Sequence, residues 1–599
     1  MTDYRPPISE IAFALEHLAG YRDIAALPEY EHADLETVVG ILEDAGAFMA
    51  EVVAPTNRIG DTEGAQRQPD GSVRTPAAFK DAYRKYVDAG WAAVPFPEEF
   101  GGGHFPWSIG LAIQETLLSS NMAFALCPLL TQGAIDALLA YGDDEQKQQY
   151  LPKMISGEWT GTMNLTEPQA GSDVGALTTR AVKRDDGSYG ITGQKIFITY
   201  GEHDMADQIV HLVLARTPDA PAGTRGISCF IVPKYLVHED GSLGERNAVN
   251  CLSIEHKLGI HGSPTCVLEY DDATGYLIGE ENIGMRIMFV MMNSARLSVG
   301  MQGVAIAERA YQGSLAYAQE RVQGRAIGAT ADSPIIDHPD VRRMLMTQRA
   351  YLAALRGMMY LNACQMDLAQ FHPDPAVRLR ASEIVGILTP ICKSFGTDLA
   401  NELTSLALQI HGGMGYIEET GAAQHYRDAR ITAIYEGTNG IQAADLVGRK
   451  LGMRDGASFL EFIGEMRGLD SALADAGAGF DGIRTSLAAQ LDALEKATVW
   501  MLRNGATDPN AALAGSSPYQ RMWGLVVGGW LLAKGALAEA GAGEDGAGDD
   551  TRLVIARFYA GQLLPQASGL LAAATAGADD LFALDADRLG AVGSLARKH

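Results

Sequence analysis

The segment Gly190-Ile-Thr-Gly-Gln-Lys-Ile-Phe-Ile-Thr199 is rich in β-branched and aromatic residues, as β-strands are. Three further segments share this composition, Gln208–Ala215, Ile227–Val232 and Cys266–Tyr270, and clusters of Gly and Asp separate the four. Because no helical pattern lies between them, they predict an antiparallel sheet or small barrel within residues 161–280. They exclude a doubly wound nucleotide-binding fold in this region.

Helical patterns flank this region on both sides. The apolar residues that recur at helical spacing before it are Leu35, Val38, Val39, Ile41, Leu42, Ala45 and Phe48, and after it Ile384, Ile387, Leu388, Ile391, Phe395, Leu399, Leu403, Leu406 and Ile410. Pro390 predicts a kink in the second of these helices, and Gly412-Gly413 predicts its end. Long helices with short connections are typical of a bundle.

The fold class predicted is multidomain α+β. Residues 1–160 form a helical domain with a lead segment, 161–280 the β-domain, 281–452 the helical bundle, and 453–599 an additional helical domain. Ala540 to Asp550 reads as a flexible acidic loop within the last of these.

The overall charge and composition limit the possible partners and location. The net charge is −27, which argues against nucleic acid, since its phosphates require a basic surface. The N-terminus lacks an apolar signal core, and the apolar run Met522 to Ala533 is too short to span a bilayer. The six cysteines form no CxxC pair, so we expect free, buried thiols in a cytoplasmic protein without membrane insertion.

Common catalytic motifs are missing from the sequence. It contains no P-loop, no HExxH, no GxSxG elbow and no dinucleotide-binding fingerprint after a strand. The 13 histidines show no metal-ligand spacing, and we therefore expect no metal site.

The run Ile434-Tyr-Glu-Gly-Thr-Asn439 contains a candidate general base. Its Glu436 lies between apolar neighbours, which raise a carboxyl pKa toward neutrality. Gly437 allows close backbone approach, and Thr438 and Asn439 add donors and acceptors. Taken alone, the run is more typical of a helix end and turn.

Four motifs in order give the candidate base its context. They are Met163 to Asp173, Lys195 to Thr199, Gln409 to Tyr416 and the run around Glu436. Together, over roughly residues 80 to 450, they resemble the acyl-CoA dehydrogenase family. The resemblance implies a helical domain, a β-domain and a four-helix bundle that hold FAD and oxidise acyl-CoA thioesters to 2,3-enoyl-CoA.

The resemblance also implies a role for Glu436. This residue matches the base that removes the substrate α-proton, while hydride passes from the β-carbon to flavin N5. The thioester carbonyl requires hydrogen-bond donors as charge develops on it. Some relatives carry the base on the first bundle helix instead, and that position here is Ala295. Glu436 is therefore left as the base.

The remaining matches divide into three groups by the ligand they are expected to contact. On the substrate side, Arg296 and Asn293 match residues near the CoA adenine, Ser172 one beside the pantetheine arm, and Tyr435 a neighbour of the base. The matches to cofactor-binding residues are Met163, Leu165, Thr166, Phe197 and Thr199 around the flavin ring, Gly171 and Ser172 in the adjoining loop, and Thr438 and Asn439 near the pyrophosphate. Arg321, Gln323, Gln409 and Gly413 match residues that reach FAD from a neighbouring subunit, which implies a homo-oligomer.

The long lead and helical tail are similar to those of a roughly 600-residue bacterial branch of the family. That branch includes dehydrogenases of 3-(methylthio)propanoyl-CoA, and this resemblance implies that thioester as the first candidate substrate. It also includes dehydrogenases of short- to long-chain fatty acyl-CoA, and these thioesters are the alternative substrates. Tail domains in the family accompany dimers, so we expect a homodimer. The expected electron acceptor is an electron-transfer flavoprotein. An oxidase on the same scaffold and a flavin-binding paralogue without turnover are further alternatives.

Overall fold

The computed structural model describes residues 4–542 and 550–590, and its N-terminal part is helical. The helices are α1 (Ile8–Phe13), α2 (Tyr21–Ala25), α3 (Leu35–Phe48), α4 (Thr56–Glu63), α5 (Ala77–Asp88), α6 (Trp107–Ser120), α7 (Met122–Tyr141) and α8 (Asp144–Ser156). A short hairpin, β1 (Gln66–Arg67) and β2 (Val73–Arg74), lies between α4 and α5. Asn121 starts α7 by accepting a hydrogen bond from the Phe124 N–H at 3.1 Å, and Asp143 and Gln146 form a capping box at α8.

The middle of the chain forms the predicted β-domain. Its strands are β3 (Trp159–Asn164), β4 (Arg180–Lys183), β5 (Tyr189–Thr199), β6 (Gln208–Ala215), β7 (Ser228–Pro233), β8 (Tyr235–Val237), β9 (Leu243–Arg246), β10 (Val249–Ile254) and β11 (Thr265–Leu277). Seven of them form one sheet in the order β3-β6-β7-β11-β5-β4, with β10 also paired to β11, while β8 pairs with β9.

One strand pair differs from the predicted antiparallel arrangement. Strands β3 and β6 run parallel, from Trp159 opposite Gln208 to Asn164 opposite Val213, whereas the other pairs of this sheet are antiparallel. A parallel pair requires a long crossover. Residues 165–207, which contain β4 and β5, supply it, and the alternating pattern of a single strand carries no information about its partner's direction.

Three long helices follow the sheet. They are α9 (Gly284–Glu320), α10 (Pro339–Phe371) and α11 (Pro375–His411), followed by the short helices α12 (Ala422–Ala429) and α13 (Asn439–Asp445). Pro390 lies within α11, where a kink stays a prediction, and the helix ends before Gly412 as predicted. Helices α9 and α11 are in backbone contact, because a Cβ atom on Gly303 would lie 2.4 Å from the Gly396 carbonyl oxygen.

The tail is also helical and packs against the bundle. Its helices are α14 (Ala457–Arg467), α15 (Asp470–Asp475), α16 (Asp481–Gly505), α17 (Pro509–Ala514), α18 (Ser516–Ala542), α19 (Thr551–Phe558), α20 (Gln566–Ala574), α21 (Asp579–Phe582) and α22 (Ala586–Gly590). Helix α18 lies beside α10 and α11. A Cβ atom on Gly524 of α18 would lie 2.4 Å from the ring of Phe395 on α11, so these two helices are in close contact. Residues 543–549 of the predicted acidic loop lie outside the described residues.

The lead segment covers another part of the same helices. Leu18 packs against Gly357 of α10 and Gly535 of α18, and its carbonyl oxygen accepts a hydrogen bond from Lys534 Nζ at 3.0 Å. The lead, the bundle and the tail therefore share one hydrophobic core.

The interior contains the cysteines and one long apolar helix. The six cysteines are free and buried, as predicted. Among the described helices, α7 is long and apolar enough to cross a membrane, although most of it is buried within the protein. Core helices pass the same test of length and composition.

Candidate active site

Glu436 lies in a tight loop between α12 and α13. Its φ is +54° and that of Gly437 is +83°, and a left-handed conformation costs a residue other than glycine about 1–2 kcal/mol. Gln442 Nε2 donates to the Glu436 carbonyl oxygen at 3.3 Å and to the Gly437 carbonyl oxygen at 3.4 Å. The Thr438 hydroxyl accepts from the Ile441 N–H at 3.2 Å and so caps α13. The loop is thus fixed in a strained conformation, a feature that is concentrated at functional sites.

The environment of Glu436 raises the pKa of its carboxyl, so that the group is partly ionised near neutral pH. Burial raises the pKa of its carboxyl to about 7, and the positive charges of Lys393 and Arg296 oppose this rise. A carboxyl with such a pKa can accept a proton at physiological pH and hold it.

Lys393 is a fully buried cation on α11. Its Nζ donates to Asn439 Oδ1 at 2.8 Å, while Asn439 Nδ2 donates to Asp398 Oδ1 at 2.6 Å. Burial lowers the pKa of Lys393 to about 8, and the carboxylates of Glu436 and Asp398 oppose this shift. The side chain of Asn439 is therefore bound to α11 through both its oxygen and its nitrogen.

Arg296 is buried on α9, and Asn293 lies exposed one turn before it. The Arg296 Nη1 lies 3.5 Å from Asp445 Oδ2, and its Nε has no hydrogen-bond partner among the described residues. The neighbouring Ala295 is 4% exposed. The position of the alternative base is therefore a buried apolar one.

Tyr435 connects the base loop to α9. Its hydroxyl donates to Gln302 Oε1, and Gln302 is fully buried. Burial and the negative charge of Glu436 raise the pKa of Tyr435 above its ordinary value.

The second predicted group of residues meets where β3 and β5 end. Met163 is in β3, Leu165 and Thr166 follow it, and the Thr166 carbonyl oxygen accepts from the Ile196 N–H at 2.9 Å. Phe197 has a φ of +59° and is 59% exposed, which leaves much of its ring uncovered. Thr199 is the last residue of β5, and Gly171 and Ser172 lie exposed in the loop after β3.

A buried ion pair fixes the loop after β3. Lys195 Nζ donates to Glu167 Oε1 at 2.8 Å and to the Leu165 carbonyl oxygen at 3.0 Å, and both charged side chains are buried. Glu167 also accepts from the backbone N–H groups of Thr178 and Thr179, at 2.7 and 3.1 Å. Burial opposes ionisation, but Lys195 and the threonine donors lower the pKa of Glu167 to about 2.

The third predicted group lies at the opposite end of the bundle. Arg321 follows α9 and donates to Gln323 Oε1 at 3.2 Å, while Gln409 and Gly413 lie exposed around the end of α11. Arg321 directly follows the C-terminus of α9 and is 25 residues beyond Arg296, which places it about 37 Å further along the helix axis. Within one chain these residues are too far from Glu436 to contact the same small ligand group.

Lys393 and Gln302 are two further buried polar residues of this site, and neither belongs to one of the sequence motifs. Each interrupts an apolar helical run, Ile391 to Phe395 and Gly300 to Ala307 respectively. Such an interruption was the available signal, since a buried polar side chain requires a specific partner.

Four models of protein families match successive parts of the chain. They are "Acyl-CoA dehydrogenase, N-terminal domain" at residues 39–158, "Acyl-CoA dehydrogenase, middle domain" at 162–273, and "Acyl-CoA dehydrogenase, C-terminal domain" at 282–451. The fourth, "Acetyl-CoA dehydrogenase C-terminal like", matches residues 462–585 in the tail.

Two similar proteins match over nearly their whole length. The 3-methylmercaptopropionyl-CoA dehydrogenase of Ruegeria pomeroyi is 48% identical over 571 residues, 94% of this chain and 97% of that protein. A broad-specificity linear acyl-CoA dehydrogenase of Mycobacterium tuberculosis, FadE5, is 33% identical over 94% of this chain and 96% of that protein.

A solved structure shares the complete fold, including the tail. The acyl-CoA dehydrogenase of Bacillus anthracis, complexed with FAD, has a TM-score of 0.71 and 22% sequence identity. The match covers 94% of this chain and 90% of that one.

Proposed function

The chain belongs to the acyl-CoA dehydrogenase family, and we propose that it dehydrogenates 3-(methylthio)propanoyl-CoA with Glu436 as the catalytic base. It is an FAD-dependent enzyme that acts on an acyl-CoA thioester. The observation that carries the assignment of the base is the fixed, strained loop that holds a carboxyl with a pKa of about 7.

The residues at the ends of β3 and β5 fit a flavin. Phe197 presents an exposed aromatic face near the end of β5, where Thr199 also lies. Thr166 belongs to the loop that the buried ion pair holds in place. FAD, when bound, supplies the acceptor for the hydride that leaves the substrate β-carbon. The proposed contact surface for the flavin also includes Met163, Leu165, Gly171 and Ser172. Two further proposed contacts, Thr438 and Asn439, closely follow Glu436 in the sequence.

The residues of this chain perform the proton part of the reaction. Glu436 accepts the α-proton. Its raised pKa is closer to the pKa of the substrate α-carbon than the pKa of an exposed carboxylate would be. Arg296 and Asn293 are proposed to bind the CoA portion, and Tyr435 flanks the acyl group. Lys393 and Arg296 favour the carboxylate before the reaction, because their charges oppose the effect of burial.

The substrate is proposed from the similarity to the Ruegeria pomeroyi enzyme, which the chain matches over 94% of its length. Fatty acyl-CoA is the second candidate, since the mycobacterial relative is named as a broad-specificity enzyme. We expect an electron-transfer flavoprotein to reoxidise the enzyme. We also expect the enzyme to be a cytoplasmic homodimer, in which the cofactor site of each subunit is completed by four residues of the other, Arg321, Gln323, Gln409 and Gly413. Their distance from Glu436 within one chain supports this arrangement.

The purified protein should be yellow, and acyl-CoA should bleach its flavin absorbance without oxygen. The panel is 3-(methylthio)propanoyl-CoA with butanoyl- to palmitoyl-CoA, and the highest kcat/KM is expected for the first. Reoxidation by an electron-transfer flavoprotein without oxygen consumption would identify a dehydrogenase, and rapid oxygen consumption an oxidase. A colourless protein, or a flavin that no thioester bleaches, would contradict the proposal.

Lys393→Met should shift the pH dependence of flavin reduction to higher pH. Without the Lys393 charge the pKa of Glu436 rises further, so less of the base is ionised at pH 7. A rise of one unit, from 7 to 8, lowers the ionised fraction at pH 7 about fivefold, and the rate recovers at pH 9. The measurement is the anaerobic reduction rate between pH 5.5 and 9.5.

Lys393→Arg, which keeps the charge, is the matched control for this shift. It should retain a pH midpoint near that of the unmodified enzyme. Equal midpoints for the Met variant and the unmodified enzyme would show that Lys393 does not act on Glu436 electrostatically.

A further inference from the structure

Asp61 on α4 is a carboxylate that binds basic side chains of three different elements, although its own side chain is only 4% exposed. Arg427 of α12 donates to both of its oxygens, from Nη1 to Oδ1 at 2.8 Å and from Nη2 to Oδ2 at 2.7 Å. Arg58 of α4 donates to Oδ2 at 2.9 Å, and His261 Nδ1, in the loop between β10 and β11, lies 3.1 Å from Oδ1. Burial opposes the ionisation of Asp61, but Arg427 and the two other basic groups lower its pKa.

The residue next to this arginine binds α12 to the β-domain. Asp428 is buried, and its Oδ1 accepts from the backbone N–H of Ile260 in the same β10–β11 loop. Its Oδ2 accepts from Gln424 Nε2 at 3.2 Å, and this amide also donates to Asn57 Oδ1 of α4 at 3.0 Å. A Cβ on Gly259 would lie 2.5 Å from Asp428 Oδ1, so the loop lies directly against α12. Helix α12 is therefore bound both to the N-terminal domain and to the β-domain.

Helix α12 leads directly into the loop of the base. It ends at Ala429, a single turn of 3₁₀-helix (Arg430–Ala433) follows, and Glu436 lies nine residues after Arg427. The Thr432 hydroxyl donates to the Ala429 carbonyl oxygen at 2.7 Å and binds this turn to the helix. Because the connection is short and hydrogen-bonded, the position of α12 sets the position of the base loop.

The base loop is thus held at both of its ends. Within the bundle, α12 packs against α9 and α11, and its polar bonds fix it against the other two domains. On the far side of the loop, Asn439 of α13 is bound to Lys393 of α11. A bidentate bond between an arginine and a carboxylate adds a defined direction to such an anchor.

We infer that Arg427 is a positioning residue for the catalytic base, because its bond to Asp61 holds α12, and through it the Glu436 loop, in the buried conformation. This inference rests on the proposed function. In that conformation Glu436 faces Lys393 of α11 and Arg296 of α9, and burial is the largest influence on its pKa. A loop that loses its anchor moves toward solvent, where water stabilises the carboxylate and its pKa falls from about 7 toward 4.5.

The test is the anaerobic reduction of the flavin by acyl-CoA in Arg427→Met, followed between pH 5.5 and 9.5. The maximal rate should fall about a hundredfold, which is the effect of displacing a reacting group by roughly 1 Å. The pH midpoint should also move below that of the unmodified enzyme, by about one unit. A loss of folded protein alone would lower the rate and leave the midpoint unchanged. Arg427→Lys, which keeps the charge, should recover part of both effects.

The matched control is Arg349→Met. Arg349 is also an arginine of the bundle, on α10, and its Nη2 donates at 2.7 Å to Glu10 of the N-terminal domain. Since α10 does not lead into the base loop, rate and midpoint should be those of the unmodified enzyme. If Arg427→Met does not fold, Asp61→Asn, which weakens the same bond from the other side, should move rate and midpoint in the same direction.

The outcomes separate this inference from the proposed function. An unchanged pH midpoint in Arg427→Met, whatever its rate, overturns the positioning role, although acyl-CoA still bleaches the flavin. An equal shift of the midpoint in Arg349→Met overturns it as well, because the effect would then follow the loss of any ion pair between these domains. Failure of every acyl-CoA to bleach the flavin of the unmodified enzyme contradicts the proposed function instead.

Discussion

Glu436→Gln should lower the rate of flavin reduction by acyl-CoA about a hundredfold to ten-thousandfold, which is the usual contribution of a general base. Glutamine has the same shape, so the left-handed loop and the Gln442 hydrogen bonds to its carbonyl groups can remain. It cannot accept the α-proton at any accessible pH. The expected protein is therefore yellow and folded, and its absorbance barely changes when substrate is added without oxygen.

The pH dependence provides a second readout for the same residue. Since the pKa of Glu436 is raised from 4.5 to about 7, its base form increases as the pH rises through 7. The unmodified enzyme should lose activity below that pH, and the small residual rate of Glu436→Gln should lack this dependence. Glu419→Gln, at an exposed position in the preceding segment, is the matched control and should behave as the unmodified enzyme. Normal bleaching by Glu436→Gln would assign the base elsewhere.

Glu167→Ala should lower the free energy of unfolding by about 3–5 kcal/mol, because it leaves the Lys195 ammonium buried without its counter-charge. It also removes the acceptor for the Thr178 and Thr179 N–H groups. The loop that presents the Leu165 carbonyl loses its anchor, so the purified protein should contain less FAD. Chemical denaturation and the ratio of flavin to protein absorbance measure the two effects.

The charge can be separated from the loss of hydrogen bonds by a double variant. Glu167→Ala combined with Lys195→Met removes the unpaired charge and should recover part of the lost stability, though not the part due to the threonine N–H groups. Burial already lowers the pKa of Lys195 to about 8. Above that pH, Lys195 therefore binds more protons in the unfolded chain than in the folded protein. The Glu167→Ala variant should thus become more stable as the pH rises toward 10.

The control for this substitution is Glu158→Ala, at an exposed position before β3, which should have little effect. Equal stabilities of the single and double variants would show that the charge of Lys195 is not the cause.

The sequence predicted elements whose pattern is local. The strands around Lys195 and Cys266 were recognisable from composition, and Gly412 ended α11 where its conformational freedom predicted. The direction of β3 beside β6 was not predictable, since strand pairing depends on residues more than 40 positions apart.

The candidate site was predictable to the extent that its residues form short motifs. Glu436, Phe197 and Thr199 were proposed in this way, and their assignments stay predictions. Lys393 and Gln302 were missed because a polar residue in an apolar helix has the same sequence signature whether it faces solvent or a buried partner. Only the contacts with Asn439 and Tyr435 give these two residues a role.

The shared core of lead, bundle and tail ties folding to the order of synthesis. Gly357 of α10 packs against Leu18, made long before it, and against Leu531, made more than 170 residues later. While the chain is still on the ribosome, the bundle therefore exposes an apolar surface until α18 has emerged. Nascent chains with such surfaces are prone to aggregate and are typical clients of chaperones. The tail thus makes the synthesis of α18 a condition for burying the core of the bundle.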